Sequence, residues 1–383
     1  MSRGVFAGRV RLALGLAAVI AALSGADTAG AATFSPVCSA APVHFARCFS
    51  MKLAGSRRPL ATAPTGYGAP DIQSAYNLPS SGGSGKTFAI VDAYDAPTAE
   101  ADLGTYRSTF GLPDCTTANG CFRKVNQTGG TAPPRANGGW AQEISLDLDM
   151  ASATCPNCKI LLVEANSNAF TDLAAAENTA ARLGASVISN SYGGSEFSQE
   201  TSSTYNQPFN HPGIPITVSS GDNGYGVEFP AASQYVTAVG GTSLTKSGSS
   251  YSERAWSGAG SGCSSYVPKP SWQKDSGCAR RTVADVSAVA DPNTGVAVYD
   301  SYRYRGAAGW MVFGGTSASA PIIAGAFALG GGTGPSDPYG HTSSLNDVSS
   351  GSNGSCSVAY LCTAGPGFDG PTGLGTPNGV VAF

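Results

Sequence analysis

Charge is scarce in this chain of 383 residues: Asp, Glu, Lys and Arg make up 12%, and the formal net charge is −3. With no basic cluster to neutralise phosphates, nucleic acid is excluded as a partner. So few charges also leave little self-repulsion to develop as pH falls, which suits an acidic medium. Histidine is scarcer still, at three residues, His44, His211 and His341. Chemistry that needs a base therefore has few imidazoles to draw on. Long apolar runs are missing as well, and so are internal repeats and low-complexity blocks. The strongest apolar run, Leu12 to Leu23, is too short for a comfortable membrane span.

That run reads instead as an export signal. Arg3, Arg9 and Arg11 precede or flank it, small residues follow, and Ala29-Gly30-Ala31 offers a cleavage site. Residues 1–31 are thus expected to be a signal peptide, and the mature chain a secreted, extracellular monomer away from the membrane. Cysteine, by contrast, is plentiful. Ten cysteines fall as sequence neighbours: Cys38 and Cys48, Cys115 and Cys121, Cys155 and Cys158, Cys263 and Cys278, Cys356 and Cys362. In an exported chain this spacing predicts five local disulfides. Cys155-Pro156-Asn157-Cys158 also has redox or zinc spacing, but no second such pair and no nearby histidine completes a metal site.

Residues 32–64 have mixed composition and read as a short pro-segment or N-terminal extension, leaving 65–383 as the main domain. Thr87 to Asp92, Lys159 to Glu164, Val187 to Ser189 and Ile214 to Val218 are short apolar runs of buried-strand type. Strand-like pieces follow at Tyr235 to Val239, Val296 to Tyr299 and Met311 to Phe313. Helical patterns cover Ala99 to Phe110, Trp140 to Ala153, Phe170 to Leu183 (ended by Gly184) and Thr316 to Leu329. Apolar strands alternating with helices predict an α/β fold with a mostly parallel sheet covered on both faces, and ligand sites outside the strands' carboxyl ends.

Four acidic and hydroxyl side chains fall at such ends. Gly314-Gly315-Thr316-Ser317-Ala318-Ser319-Ala320-Pro321 joins an apolar strand to an apolar helix. A serine there has unpaired backbone N–H groups beside it, which favour developing negative charge. The plainer alternative is that Thr316 or Ser317 only caps the helix. A nucleophilic serine needs a base, and Glu143 and Asp147 stand at i and i+4, on one helix face. Two packed carboxyls side by side would share a proton, as in an acid–base dyad. The alternative is a solvated acidic stripe that includes Asp149. Ser220-Gly221-Asp222-Asn223 follows a strand. A protonated Asp222 could donate to an oxyanion, whereas a simple turn role is the alternative.

These residues together resemble the sedolisin family, the serine-carboxyl peptidases, over roughly residues 65–383. The resemblance implies a subtilisin-like α/β fold and serine endopeptidase activity through an acyl-enzyme, on protein or peptide substrates. By motif, Glu143 and Asp147 match the family's E-x-x-x-D pair, Asp222 its oxyanion aspartate, and Ser317 its nucleophile in GTSxSxP. Ser189-Asn190-Ser191-Tyr192-Gly193-Gly194 resembles the substrate-binding edge, and Pro270-Ser271-Trp272-Gln273 and Asp285-Val286-Ser287 two further signatures. Asn346-Asp347-Val348 and Gly365-Pro366-Gly367-Phe368-Asp369 resemble the family's calcium site, which implies one structural Ca²⁺ held by Asp347, Val348, Gly365, Gly367 and Asp369. Acidic working pH follows from a protonated Asp222. Two features depart from the family pattern: residues 32–64 stand where members carry a large folded pro-domain, and Asn223 stands where many have serine. Asp92 ends the strand that resembles the one bearing the subtilisin aspartate, and with no suitable histidine to orient it is ranked as structural. A fold retained as a secreted, inactive binding protein is the other reading.

Overall fold

The structure, a computed structural model, describes residues 1–5, 8, 33–55 and 64–383. The chain separates into Met1–Ala31 and Ala32–Phe383, and everything below concerns the second unit. The expected export signal lies almost wholly outside the described residues. Among those described, no helix is long and apolar enough to cross a membrane.

A parallel sheet forms the centre, in the order Thr237–Ser247, Ile216–Ser219, Val187–Asn190, Thr87–Ala93, Lys159–Ala165, Phe122–Asn126. Val286–Val289 joins Thr237–Ser247 in parallel, and Ser250–Ala255 pairs with it as the one antiparallel neighbour. The apolar strands are buried almost end to end, as strands covered on both faces must be. Their boundaries follow the sequence reading to within a few residues. An exception is Thr237–Ser247, longer than its apolar start because its polar second half is stabilised by the hairpin to Ser250–Ala255.

Two helices fill the core. In Gly138–Thr154 every residue after Gly138 is buried, and Asn137 caps its start, its Oδ1 accepting from Gly139 N at 3.0 Å and Trp140 N at 3.3 Å. Thr316–Gly330 is apolar almost all round and ends on Gly331 in the left-handed conformation, φ 84°. The helices touch at Gly325, where an added Cβ would lie 2.1 Å from Thr154 Oγ1. Pro321 removes the N–H that would have met Ser317 O, and the Ser191 hydroxyl stands 3.3 Å from that carbonyl instead.

Val296–Tyr304 and Ala307–Gly314 belong to a second, antiparallel sheet, with Phe34–Pro36 and Met51–Leu53 as its other strands. Residues 33–55 are thus built into the main unit rather than standing apart from it. All ten cysteines pair as sequence neighbours.

Candidate active site

The helix Gly138–Thr154 carries Glu143 and Asp147 one turn apart, both fully buried. The solvated-stripe alternative does not hold, since Asp149 is buried as well and accepts the Tyr299 amide at 2.9 Å. Glu143 Oε2 accepts the Ser50 amide at 3.0 Å. The same carboxyl lies within reach of the Ser317 hydroxyl, which in this closed arrangement donates to Ser191 O at 3.2 Å. Burial lifts Glu143 above the ordinary carboxylate range, with the Asp222 charge adding to the rise, while the nearby Ser317 hydroxyl and the Ser50 donors oppose it and favour the charged form.

Asp147 Oδ1 accepts the Ser191 hydroxyl at 2.7 Å. Its other neighbour is Asp92, near the end of strand Thr87–Ala93, and the two buried carboxyls feel each other's charge. Burial above all, then the neighbouring carboxylates, pushes both well above the ordinary range. Three carboxyls in one dry space cannot all be ionised, so protons are shared among them. Glu143, with backbone and hydroxyl donors around it, is the best place for the charge. The sequence reading ranked Asp92 as structural and missed this coupling, because the sequence separation between Asp92 and Asp147 hides it.

Asp222 sits in the turn after Ile216–Ser219, next to Gly221 at φ 117°. Its Oδ1 accepts both Thr316 N and Thr316 Oγ1 at 2.8 Å, while Oδ2 is buried without a partner. Burial raises this carboxyl to about 7, against the Thr316 bonds and the Arg47 charge. Below that pH the proton belongs on Oδ2, the oxygen with no donor of its own. Ser317 lies in the first turn of Thr316–Gly330, behind Gly315 at φ 89°. Only glycine serves there, since a Cβ would lie 1.8 Å from Phe49 O and 2.6 Å from Asp222 Oδ2.

The histidines take no part in this cluster. His44 packs its ring on Phe197 and Tyr205, with centroids 4.5 and 5.7 Å away. His211 occupies the loop beyond Gln207–Phe209, and exposed His341 contacts Asp337 O at 3.1 Å. Among the described residues no histidine hydrogen-bonds Ser317.

Comparison with known proteins agrees with this geometry. Residues 130–331 match the subtilase family. The chain is 31% identical to kumamolisin from Bacillus sp. (strain MN-32), over 98% of its own length and 72% of that relative. The chain belongs to the sedolisin family of serine peptidases. Sedolisin from Pseudomonas sp. (strain 101) is 34% identical over 43% of this chain, which spans 33% of that relative's length. The structure titled Pseudomonas sedolisin (serine-carboxyl proteinase), complexed with two molecules of pseudo-iodotyrostatin, aligns with a TM-score of 0.71 and 28% identity. That alignment covers 83% of this chain and 96% of the other. Sphericase, at a TM-score of 0.52 and 19% identity over 82% of this chain and 98% of its own, shares the fold.

The remaining sedolisin-like signatures serve other ends. Asp285 is fully buried and bonded to the Arg281 guanidinium, with Tyr339 Oη at 2.8 Å and the Ala238 amide at 2.7 Å. Gln273 Nε2 adds a bond to it at 3.2 Å, so the two sequence signatures meet as one internal polar network, every carboxylate oxygen satisfied. In the loop expected to hold calcium, Gly367 N donates to Asp347 Oδ2 at 3.0 Å and Gly365 N to Asp369 Oδ2 at 3.1 Å. Among the described residues no group of three or more His, Cys, Asp or Glu side chains could hold a metal. The two carboxylates do face one loop, and burial together with the Asp347 charge raises Asp369 to about 7. Hard oxygen donors that repel one another fit a calcium ion in kind, provided backbone carbonyls complete the set.

Proposed function

We propose that this chain is a secreted serine-carboxyl endopeptidase that hydrolyses protein or peptide substrates through an acyl-enzyme at acidic pH. The observation that carries this reading is that buried Glu143, held by the Ser50 amide and with its Oε1 unpartnered, lies within reach of the Ser317 hydroxyl, with the unpartnered Asp222 Oδ2 beside Gly315. Ser317 Oγ attacks the substrate carbonyl carbon, and its proton passes to Glu143. Asp222, protonated, donates from Oδ2 to the new oxyanion, in a dry site where such a bond counts for most. Glu143 then hands its proton to the leaving nitrogen, and the C–N bond breaks. Water repeats the route in reverse, losing a proton to Glu143 and freeing Ser317. Asp147, held by Ser191 and coupled to Asp92, is a positioning residue that keeps a proton in the cluster and the charge on Glu143.

Asp347 and Asp369, with the carbonyl of Val348 and those of Gly365 and Gly367, would hold one Ca²⁺. Its contribution is structural, neutralising two carboxylates and tying the loop together. Five disulfides and the leader-like start favour export and an oxidising compartment.

The test is a pH series of casein cleavage by the exported protein and by Ser317→Ala. Cleavage that is strongest below neutrality and absent from the variant is expected. A folded, calcium-supplied wild type that cuts nothing at any pH would refute the reading and favour an inactive binding protein.

A further inference from the structure

One stretch of the chain crosses the candidate active site in the manner of a bound peptide. Arg47 and Cys48 pair antiparallel with Gly193 and Tyr192, on the edge expected to bind substrate. The Phe49 amide continues that ladder, donating to Ser191 O at 3.2 Å, the same carbonyl that accepts the Ser317 hydroxyl. Next along the chain, the Ser50 amide donates to Glu143 Oε2 at 3.0 Å. Between these two amides lies the Phe49 carbonyl, whose oxygen shares the space over Gly315 with Asp222 Oδ2. Beyond it, Met51 and Lys52 pair antiparallel with Gly314 and Phe313. The segment is therefore held on both sides of one peptide bond, with base, nucleophile and oxyanion donor around that bond. Ser317, Glu143 and Asp147 have no solvent exposure while it is in place.

The side chains are received as specifically as the backbone. Phe49 is 1% exposed, and its ring uses the space left by Gly193, where a Cβ would lie 2.7 Å from the ring edge. Arg47, two residues earlier, projects to the same side, as strand alternation requires, with its guanidinium 5.3 Å from the Phe49 ring centre. Glu228, over Gly221, faces that charge: Asn223 Nδ2 donates to its Oε1 at 2.8 Å, and the Arg47 charge is felt at both Glu228 and Asp222.

We propose that Arg47–Lys52 is this chain's own substrate, laid across the cleft with Phe49–Ser50 as the bond to be cut. The cleft accordingly selects peptides with an aromatic residue on the acyl side of the cut and a basic residue two positions before it. This rests on the serine-carboxyl peptidase reading and adds the bond and the specificity. In the self-cut, Ser317 Oγ bonds to the Phe49 carbonyl carbon, the bond to Ser50 N breaks, and that nitrogen takes the proton held by Glu143. Water then releases the Phe49 carboxyl, and Ser50 becomes the new amino terminus. Cys38 and Cys48 both precede the cut and bind only each other, so no disulfide retains the released piece. Its departure uncovers the cleft for other peptides.

The experiment takes the full exported chain, wild type and Ser317→Ala, moved from neutral to acidic pH and read by intact mass and N-terminal sequencing. A new terminus at Ser50 in the wild type alone is expected. In parallel, the peptide Ala-Arg-Ala-Phe-Ser-Met-Lys is compared with versions carrying Asp for Phe or Glu for Arg. Loss of at least tenfold in kcat/KM is expected for each, and Glu228→Gln should shrink the Arg-against-Glu discrimination to about twofold. Casein cleaved by a wild type whose terminus is not Ser50, or which treats the three peptides alike, overturns this inference and leaves the peptidase reading standing. Cleavage of neither casein nor any peptide by folded protein removes both.

Discussion

Glu177 offers a test of how burial sets the pH response of this molecule. It lies on the helix Phe170–Arg182, fully buried, close enough to Tyr192 for its charge to be felt at the Tyr192 hydroxyl. Asn190 is within reach, yet neither carboxyl oxygen has a donor that completes a hydrogen bond. Burial pushes the carboxyl from 4.5 up to about 8. In the unfolded chain the group ionises near 4.5, so its contribution to stability is whole below that pH and drains away as pH rises towards 8. Between 4.5 and 7, at about 1.4 kcal/mol per pH unit, the loss comes to roughly 3 kcal/mol, an upper figure because local relaxation reduces it. Glutamine has the same shape and cannot ionise. Glu177→Gln should therefore match the parent at pH 4 and exceed it at pH 7 by up to that amount, or about 5 °C in Tm for a chain of this size. Calorimetry in a Ser317→Ala background, which prevents self-digestion, measures both. Glu164 at about 8 and Asp300 at about 7 act in the same direction, so the parent's Tm should itself fall from pH 4 to pH 7. An equal Tm change in the variant at both pH values would refute the reasoning, because a packing effect has no pH dependence.

Two further perturbations address the candidate site and the loop. Asp222 must keep its proton to donate, so activity should fall about tenfold per pH unit above about 7. Asp222→Asn, which donates at any pH, should lose some activity at pH 5 but flatten that alkaline limb. A pH profile with the limb unmoved would exclude Asp222 as its source. Calcium should raise the Tm of the Ser317→Ala protein by an amount that grows with its concentration, and Asp347→Asn should abolish the response. A Tm that chelator and calcium leave unchanged removes the ion from this loop.

The parts of the fold legible in the sequence were those whose signal is local. Thr87–Ala93 and Lys159–Ala165 are continuous apolar runs because both faces are covered, and such runs announce a parallel sheet without any knowledge of neighbours. Glu143 and Asp147 were legible as a pair because helical geometry alone puts positions i and i+4 on one face. Five disulfides were legible because each closes a short loop. Illegible, by contrast, was everything decided by distant pairing. Asp92 joins Asp147 only because the strand Thr87–Ala93 ends beside the helix Gly138–Thr154. The antiparallel sheet around Ala307–Gly314 likewise depends on strands drawn from residues 34–36 and 51–53, whose composition carries no strand signal of its own.

The same distinction explains why residues 32–64 read as a mere extension. Arg47-Cys48-Phe49-Ser50-Met51 has no periodicity and no motif, since a peptide lying in a cleft is ordered by the groups it meets rather than by its own propensity. Its backbone pairs with Gly193 and Tyr192 on one side and Gly314 and Phe313 on the other, so the ladder is made by two segments more than 100 residues apart. Composition nonetheless held one trace of it. Cys48 pairs with Cys38 immediately before Phe49, and a disulfide closing a loop there fixes the approach of the strand to the cleft. A site whose acid, base and nucleophile are all buried behind the chain's own backbone must open before it can act on anything else. For this molecule the step that opens it and the reaction it performs are then the same chemistry, hydrolysis of one peptide bond.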